Sequence, residues 1–298
     1  VKLGQSNLHA GTIAYGCWRF AQSTVSDADR KIHTALDVGM TLIDTADIYG
    51  LGESSGFGGA EAVLGQVLSR SPELRDRMIL ATKGGIDAVR PYDSSADYLT
   101  RAMEASLKRL NVDYVDLYQI HRPDITTPIE ETASILNDFV TSGKARYIGV
   151  SNFTVAQTRA LQAHLDQPLV TTQPEFSALQ QSPITDGSFD YCMERQMTAL
   201  AWSPLAGGIL ATGKPAKGQK SERFSRVVKV IDRLAKVYET ERSQMALAFT
   251  LAHGANVVPI IGTQTLSRIE SSAKAVDVPL TARDFYDIIE AYRGEVMP

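Results

Sequence analysis

Short apolar runs alternate with amphipathic stretches from one end of the chain to the other. The runs near 12–16, 41–44, 78–82, 115–120, 146–150, 169–173, 198–202 and 257–261 have the length and apolar character of strands buried on both faces. Between them, helical spacing predicts helices at about 26–38, 59–70, 95–110, 154–165, 226–253 and 265–276. The clearest unit starts at Thr127, expected to cap a helix with Pro128 in its first turn and Glu130 three residues after the cap. Ile129, Ala133, Leu136 and Val140 recur at helical spacing, Gly143 stops the helix, and a strand at 146–150 ends at Ser151 and Asn152. Eight such βα units imply a parallel sheet, and eight favour its closure. The expected fold is therefore α/β: a single (β/α)8 TIM barrel over residues 1–298, with a short hairpin at 1–11 and a terminal helix at 281–293. One segment, 203–225, breaks the rhythm. Its glycines and lysines (Gly207, Gly208, Lys214, Lys217, Lys220) suggest a mobile loop over the catalytic face.

Composition narrows the class. A length of 298 residues is long for an ordinary domain and usual for one β/α barrel. The hydrophobic fraction of 44% and charged fraction of 21% are those of a globular protein. A net charge of −4 gives no electrostatic footprint for nucleic acid or an anionic membrane. Cys17 and Cys192 match no zinc or redox spacing, so free thiols in a reducing compartment are expected. The five histidines form no close pair, so no metal site is expected. With no spanning-length apolar run and no apolar core of a signal peptide at the start, cytoplasm is the simplest location.

Three strand-like runs end in groups capable of chemistry. Asp44 closes the run Met40–Ile43, and Tyr49 follows five residues later. Lys83 follows the run 78–82, and His121 follows the run 115–120. Reduction of a carbonyl needs a hydride on carbon and a proton on oxygen. Tyr49 could give the proton; its ordinary pKa near 10 would be lowered by a neighbouring ammonium, Lys83, itself held by Asp44. His121 could orient the carbonyl oxygen. The hydride must come from a cofactor, since no side chain donates one. Each group also has an ordinary alternative: Asp44 and Asp47 as turn or cap residues, Tyr49 as packing, Lys83 as a solvated loop lysine, His121 as a satisfied core histidine. That all of these fall at strand ends favours chemistry.

The segments Asp44–Gly50, the Lys83 strand end, Leu117–Asp124 around His121, Gly149–Phe153 and Ala201–Gly208 occur in the order of landmarks in the aldo-keto reductases, which this sequence resembles from about Gly16 to Arg268. The resemblance implies Tyr49 as general acid, Asp44 and Lys83 as its tuning pair, and His121 as the group orienting the carbonyl. It implies that Ser151, Asn152 and Gln173 hold a nicotinamide carboxamide, that Trp202 lies against the ring, and that Ser203, Pro204, Leu205 and Gly207 wrap the pyrophosphate. Gly262, Thr263, Gln264, Arg268 and Ser272 would line the adenosine end, with Gly16, Cys17 and Trp18 at the nicotinamide rim. Read from the residues alone, Ser151 and Asn152 suit a helix cap equally well, and Trp202 suits core. No G-x-G-x-x-G follows an early strand, so a Rossmann site is not expected.

The sequence departs from the common family pattern at the adenosine end, with Gly262 where many members carry lysine, and Ser271-Ser272 where they carry Glu-Asn. Arg268 remains and no acidic residue replaces the lost groups, so NADP(H) is expected over NAD(H). The expected partner is a small-molecule carbonyl substrate, with the protein a monomer. Trp18, Phe20 and Arg122 lie near candidate strand ends and could touch substrate. Two readings compete with a reductase: a redox-sensing regulatory subunit with slow turnover, like potassium-channel β-subunits, and a lyase using Lys83 as a Schiff-base amine.

Overall fold

The computed structural model describes residues 1–215 and 221–298. Eight parallel strands close into a barrel in sequence order. They are β1 (Ala14–Gly16), β2 (Leu42–Asp44), β3 (Ile79–Gly84), β4 (Val115–Ile120), β5 (Ala145–Ser151), β6 (Thr171–Gln173), β7 (Thr198–Ala201) and β8 (Val258–Ile261). Closure comes from β1 pairing with β8, Tyr15 lying opposite Ile261.

Side chains alternate across each strand. One set faces inward and packs as a column containing Ala14, Leu42, Ala81, Leu117, Leu200 and Val258. The other set, including Tyr15, Ile43, Leu80, Tyr118, Ile148 and Ala199, packs against the surrounding helices. The expected N-terminal hairpin is present, with Lys2 bridged to His9, and its Leu3 and Ala10 belong to the inner column. Helix Ala282–Arg293 likewise falls where a terminal helix was expected, capped by Thr281 and Asp284.

Three expectations about local structure need correction. The long helix over 226–253 is two helices, Glu222–Val237 and Arg242–Leu251. The chain turns between them with Glu239 left-handed (φ 49°), and Glu241 and Gln244 form a capping box that starts the second. Thr127 does not cap the helix Ile129–Thr141; Pro128 occupies the cap position without a side-chain bond. The Thr127 hydroxyl donates instead to Asp124 Oδ2 at 2.6 Å. The segment 203–225, expected as one loop, holds no strand among its described residues but does hold a 3-10 turn (Ala206–Gly208), the short helix Ile209–Thr212 and the start of Glu222–Val237. The expectation of mobility at Lys217 and Lys220 lies outside the described residues. The short helices Leu74–Arg77, Ser182–Thr185 and Ser188–Arg195 carried too few turns to register as helical periods.

Gly149 shows how tightly the interior is filled. A Cβ there would stand 2.1 Å from Thr171 Oγ1 and 2.9 Å from the Thr171 carbonyl oxygen, on the neighbouring strand. Gly149→Ala should therefore lower stability by about 1–3 kcal/mol through overpacking. Urea unfolding measures this, and a variant as stable as the parent would contradict the close approach.

Candidate active site

Six of the eight strands deliver a polar or chemically capable residue to the same end of the barrel, and β1 and β8 bring glycine there. Gly16, Asp44, Ser151 and Gln173 are the last residues of their strands, and Lys83 is the next-to-last of β3. His121, Trp202 and Gly262 come immediately after β4, β7 and β8. This is the C-terminal end of a parallel barrel, where βα loops assemble active sites. Leu42 and Ala81 face inward, so two residues on Asp44 and Lys83 face inward too. They meet there. Lys83 Nζ donates to Asp44 Oδ2 at 2.7 Å and to the Thr45 carbonyl oxygen at 2.7 Å. The other carboxylate oxygen, Oδ1, accepts from Gln173 Nε2 at 3.0 Å.

Both charges are buried, Lys83 completely. Burial alone would pull the lysine pKa down; the Asp44 carboxylate, and after it Tyr49, more than reverse this and hold it above its ordinary value. Lys83 Nζ lies 5.1 Å from the centre of the half-buried Tyr49 ring. Lys83 was expected to bring the phenol below its usual pKa. Its charge does pull downward, but desolvation is the larger effect and Tyr49 sits above its ordinary value. His121 stands on the other side, its ring meeting Tyr49 edge-on at 5.8 Å. Burial first, then the positive charges of Lys83 and Arg122, push its pKa well below the histidine range. The imidazole is therefore neutral near pH 7, with Nδ1 buried and unpartnered among the described residues.

A second network flanks this cluster. Ser151 Oγ donates to the Gln173 carbonyl oxygen at 2.9 Å and accepts from Asn152 Nδ2 at 2.8 Å. Asn152 Nδ2 also reaches the His121 carbonyl oxygen at 3.2 Å, and Asn152 Oδ1 accepts from Trp202 Nε1 at 2.9 Å. Ser151, Asn152, Gln173 and Trp202, expected together, are thus tied to one another and to the His121 strand end. Asn152 holds a left-handed conformation (φ 60°), as do Ser203 (φ 54°) and Ala206 (φ 49°) in the next loop. Such backbone strain in residues other than glycine gathers at functional loops. Gly207 and Gly208, also left-handed, have open space where a side chain would stand, which leaves their backbone approachable. Pro204 is buried beneath this loop and Leu205 packs on the core.

At the third part of the rim, Gly262, Thr263 and Gln264 follow β8, and Arg268 is exposed on the first turn of helix Leu266–Ala273. Ser272 is buried and its hydroxyl donates to the Arg268 carbonyl oxygen at 2.7 Å, so it faces its own helix. Cys17 is buried under the rim, its N–H donating to the Asp44 carbonyl oxygen at 2.8 Å, while Trp18 is 63% exposed. Sequence reasoning missed the side chains that grip the 262–264 turn from the far side of the chain: Tyr15, Arg19, Ser23 and Lys31. Lys31 left a signal, a charged residue on the buried stripe of Ala28, Ile32 and Ala35.

Asp47, three residues past Asp44, lies outside the barrel wall and takes no part in the cluster. It is fully buried, with Oδ2 and the Tyr118 hydroxyl both close to Gly84. Burial, then the nearby Glu61 carboxylate, raise its pKa well above the carboxylate range. Asp124 has a structural role that the sequence did not reveal. It accepts from the Ser94 and Thr126 N–H groups and from the Thr126 and Thr127 hydroxyls. Burial opposes ionisation there, yet these hydrogen bonds bring its pKa down to about 2.

The Asp44–Lys83 pair yields a stability test. Lys83→Met strands a buried carboxylate and should cost about 3–5 kcal/mol in urea unfolding. Adding Asp44→Asn to that variant should cost far less than Asp44→Asn alone, because the charge left unpaired is removed; strictly additive costs would contradict the pairing. Because the Lys83 pKa is raised, the stability it contributes is complete below about 10.5 and lost as pH climbs through the higher folded value.

The model of the Aldo/keto reductase family matches residues 12–293. A 6-dehydroglucose reductase of Novosphingobium aromaticivorans is 47% identical over 100% of this chain and 96% of its own length. A protein of the same name from Agrobacterium fabrum is 35% identical over 94% of each chain. Among solved structures, a thermostable aldo-keto reductase, Tm1743, in complex with the inhibitor epalrestat superposes with a TM-score of 0.82 at 27% identity, over 98% of both chains. With this barrel, this set of strand-end residues and a family match over nearly its whole length, the chain belongs to the aldo-keto reductases, a family of oxidoreductases.

Proposed function

We propose that this protein uses NADPH to reduce an aldehyde carried on a sugar, with the aldehyde at carbon 6 of a hexose as the first substrate to try. The observation that carries the chemistry is the buried Asp44–Lys83 pair beside Tyr49 and His121. The substrate class comes from the two relatives named for 6-dehydroglucose.

The residues at the barrel mouth fit a dinucleotide. Ser151, Asn152 and Gln173 offer amide and hydroxyl groups in one network, which suits a carboxamide. Trp202 is a half-buried aromatic surface fixed by Asn152, suited to lie against a nicotinamide ring. The Ser203–Gly208 loop, with its approachable glycine backbone, suits a pyrophosphate. Thr263, Gln264 and the exposed Arg268 suit the adenosine end, and the arginine favours a 2′-phosphate. When bound, the cofactor supplies the hydride that the carbonyl carbon takes up.

The protein's own groups handle the proton. The Tyr49 hydroxyl gives its proton to the carbonyl oxygen, leaving a phenolate. Lys83 stabilises that phenolate, and Asp44 keeps Lys83 charged and in place although it is buried. His121, neutral near pH 7, orients the carbonyl with a hydrogen bond and does not repel the Lys83 charge. The raised Tyr49 pKa keeps the phenol protonated through the neutral range, which is the form that donates.

Tyr49→Phe removes only the proton donor. It should lower kcat by about 10²–10⁴-fold while NADPH binding, followed by quenching of protein fluorescence, stays within twofold. Undiminished kcat in that variant would sink the mechanism. A panel of sugar C6 aldehydes and simple aliphatic aldehydes, followed by loss of NADPH absorbance, tests the substrate class. It is wrong if the sugar aldehydes have the lower kcat/KM.

A further inference from the structure

Lys31 is an ammonium in an unusual place. Only 8% of the residue is exposed, and among the described residues no carboxylate stands within 4 Å of it. Its Nζ donates to two neutral oxygens, Ser23 Oγ at 2.9 Å and Gln264 Oε1 at 2.9 Å. Asp27, the acidic group nearest to it in charge terms, sits one turn back on the exposed face of the same helix and is paired with Arg30. Burying a cation without a counter-ion costs several kcal/mol, so such a site is a standing attraction for an anion.

The anion's place is marked by what Lys31 touches. Gln264 belongs to the turn Gly262–Thr265, whose Gly262 carbonyl oxygen accepts from Arg19 Nη1 at 3.0 Å and from Gln264 Nε2 at 3.2 Å. Arg19 has no carboxylate partner within 4 Å among the described residues either. The turn leads into helix Leu266–Ala273, which Thr265 begins without a side-chain cap and whose first turn carries Arg268. Three cationic side chains from two distant stretches of sequence thus surround one short turn that contains no acidic residue. The helix N-terminus adds its own positive end.

We propose that Lys31, assisted by Arg19, adds to Arg268 the positive charge that recognises the 2′-phosphate of an adenine dinucleotide at the Gly262–Thr265 turn, which itself carries no cationic side chain. This rests on the dinucleotide reading above. A phosphate monoester near pH 7 carries between one and two negative charges and accepts several hydrogen bonds. Ser23 and Gln264 take two of the three Lys31 hydrogens and the centre of the Phe20 ring lies 5.8 Å from Nζ, so one donor remains that a phosphate would have to win from the weaker contact with that ring. Charge placed beneath the turn, and held by it, also selects: it favours the 2′-phosphorylated nucleotide and is indifferent to the unphosphorylated one.

Isothermal titration of the purified protein with 2′,5′-ADP and with 5′-ADP, at fixed ionic strength, tests this without relying on turnover. Lys31→Met should weaken 2′,5′-ADP about tenfold or more and leave 5′-ADP within twofold. Arg19→Ala, at the surface, should weaken 2′,5′-ADP in the same selective way by a smaller factor. Lys31→Gln, which keeps a polar partner for Ser23 and Gln264, guards against misfolding and should lose the same discrimination, with thermal melting used to verify the fold. Equal weakening of both nucleotides would assign Lys31 to holding the turn and overturn the proposal, as would unchanged affinities. A parent protein that binds neither nucleotide would instead overturn the dinucleotide reading on which the proposal stands.

Discussion

The buried contact between Asp44 and Lys83 is the constraint around which the rest of the site is arranged. Two opposite charges taken out of water are tolerable only when nearly every lone pair and proton finds a partner. Here the carboxylate is shared between Lys83 and Gln173, and the ammonium between Asp44 and the Thr45 carbonyl. Those partners arrive on three strands, so the pairing register of the sheet and the ion pair fix each other. A shift of one residue in β2 or β3 would send a charge into the apolar layer beneath the helices. Tyr49 and His121 are then positioned beside a charge that cannot move.

Much of this could be read from the sequence because period-two alternation connects the apolar residues of a strand to the polar one at its end. Asp44 follows Leu42 on the inner face and Lys83 follows Ala81, so both were legible as strand-end groups. The barrel itself was legible for the same reason: eight short apolar runs separated by amphipathic stretches leave few other folds. Where the sequence misled, a local competition had been decided by tertiary neighbours. Thr127 had the chemistry of a helix cap, but Asp124 collected its hydroxyl together with two N–H groups. The break at Glu239 was hidden because apolar spacing continued on both sides of it. The direction of the Tyr49 shift was out of reach, since desolvation depends on what surrounds the ring and not on which residues adjoin it in the chain.

Asp44 and Asp47 show how one loop serves two compartments. They stand three residues apart, yet one faces the axis of the barrel and the other the layer between sheet and helices. The inner carboxylate is paired with a lysine and works as a charge. The outer one, crowded by Glu61 and removed from water, is pushed toward its neutral form. The Lys83 charge still reaches Asp47 and pulls its pKa downward, but burial and Glu61 outweigh it.

The N-terminal hairpin has an effect at the opposite end of the molecule. Its Leu3 and Ala10 join the apolar column that runs along the axis through Leu42, Ala81, Leu117 and Leu200. The packed column thereby gains a floor, with Lys83 where its polar layer begins. The charged pair at one end of the barrel thus rests on a column whose far end is closed by a hairpin it never touches.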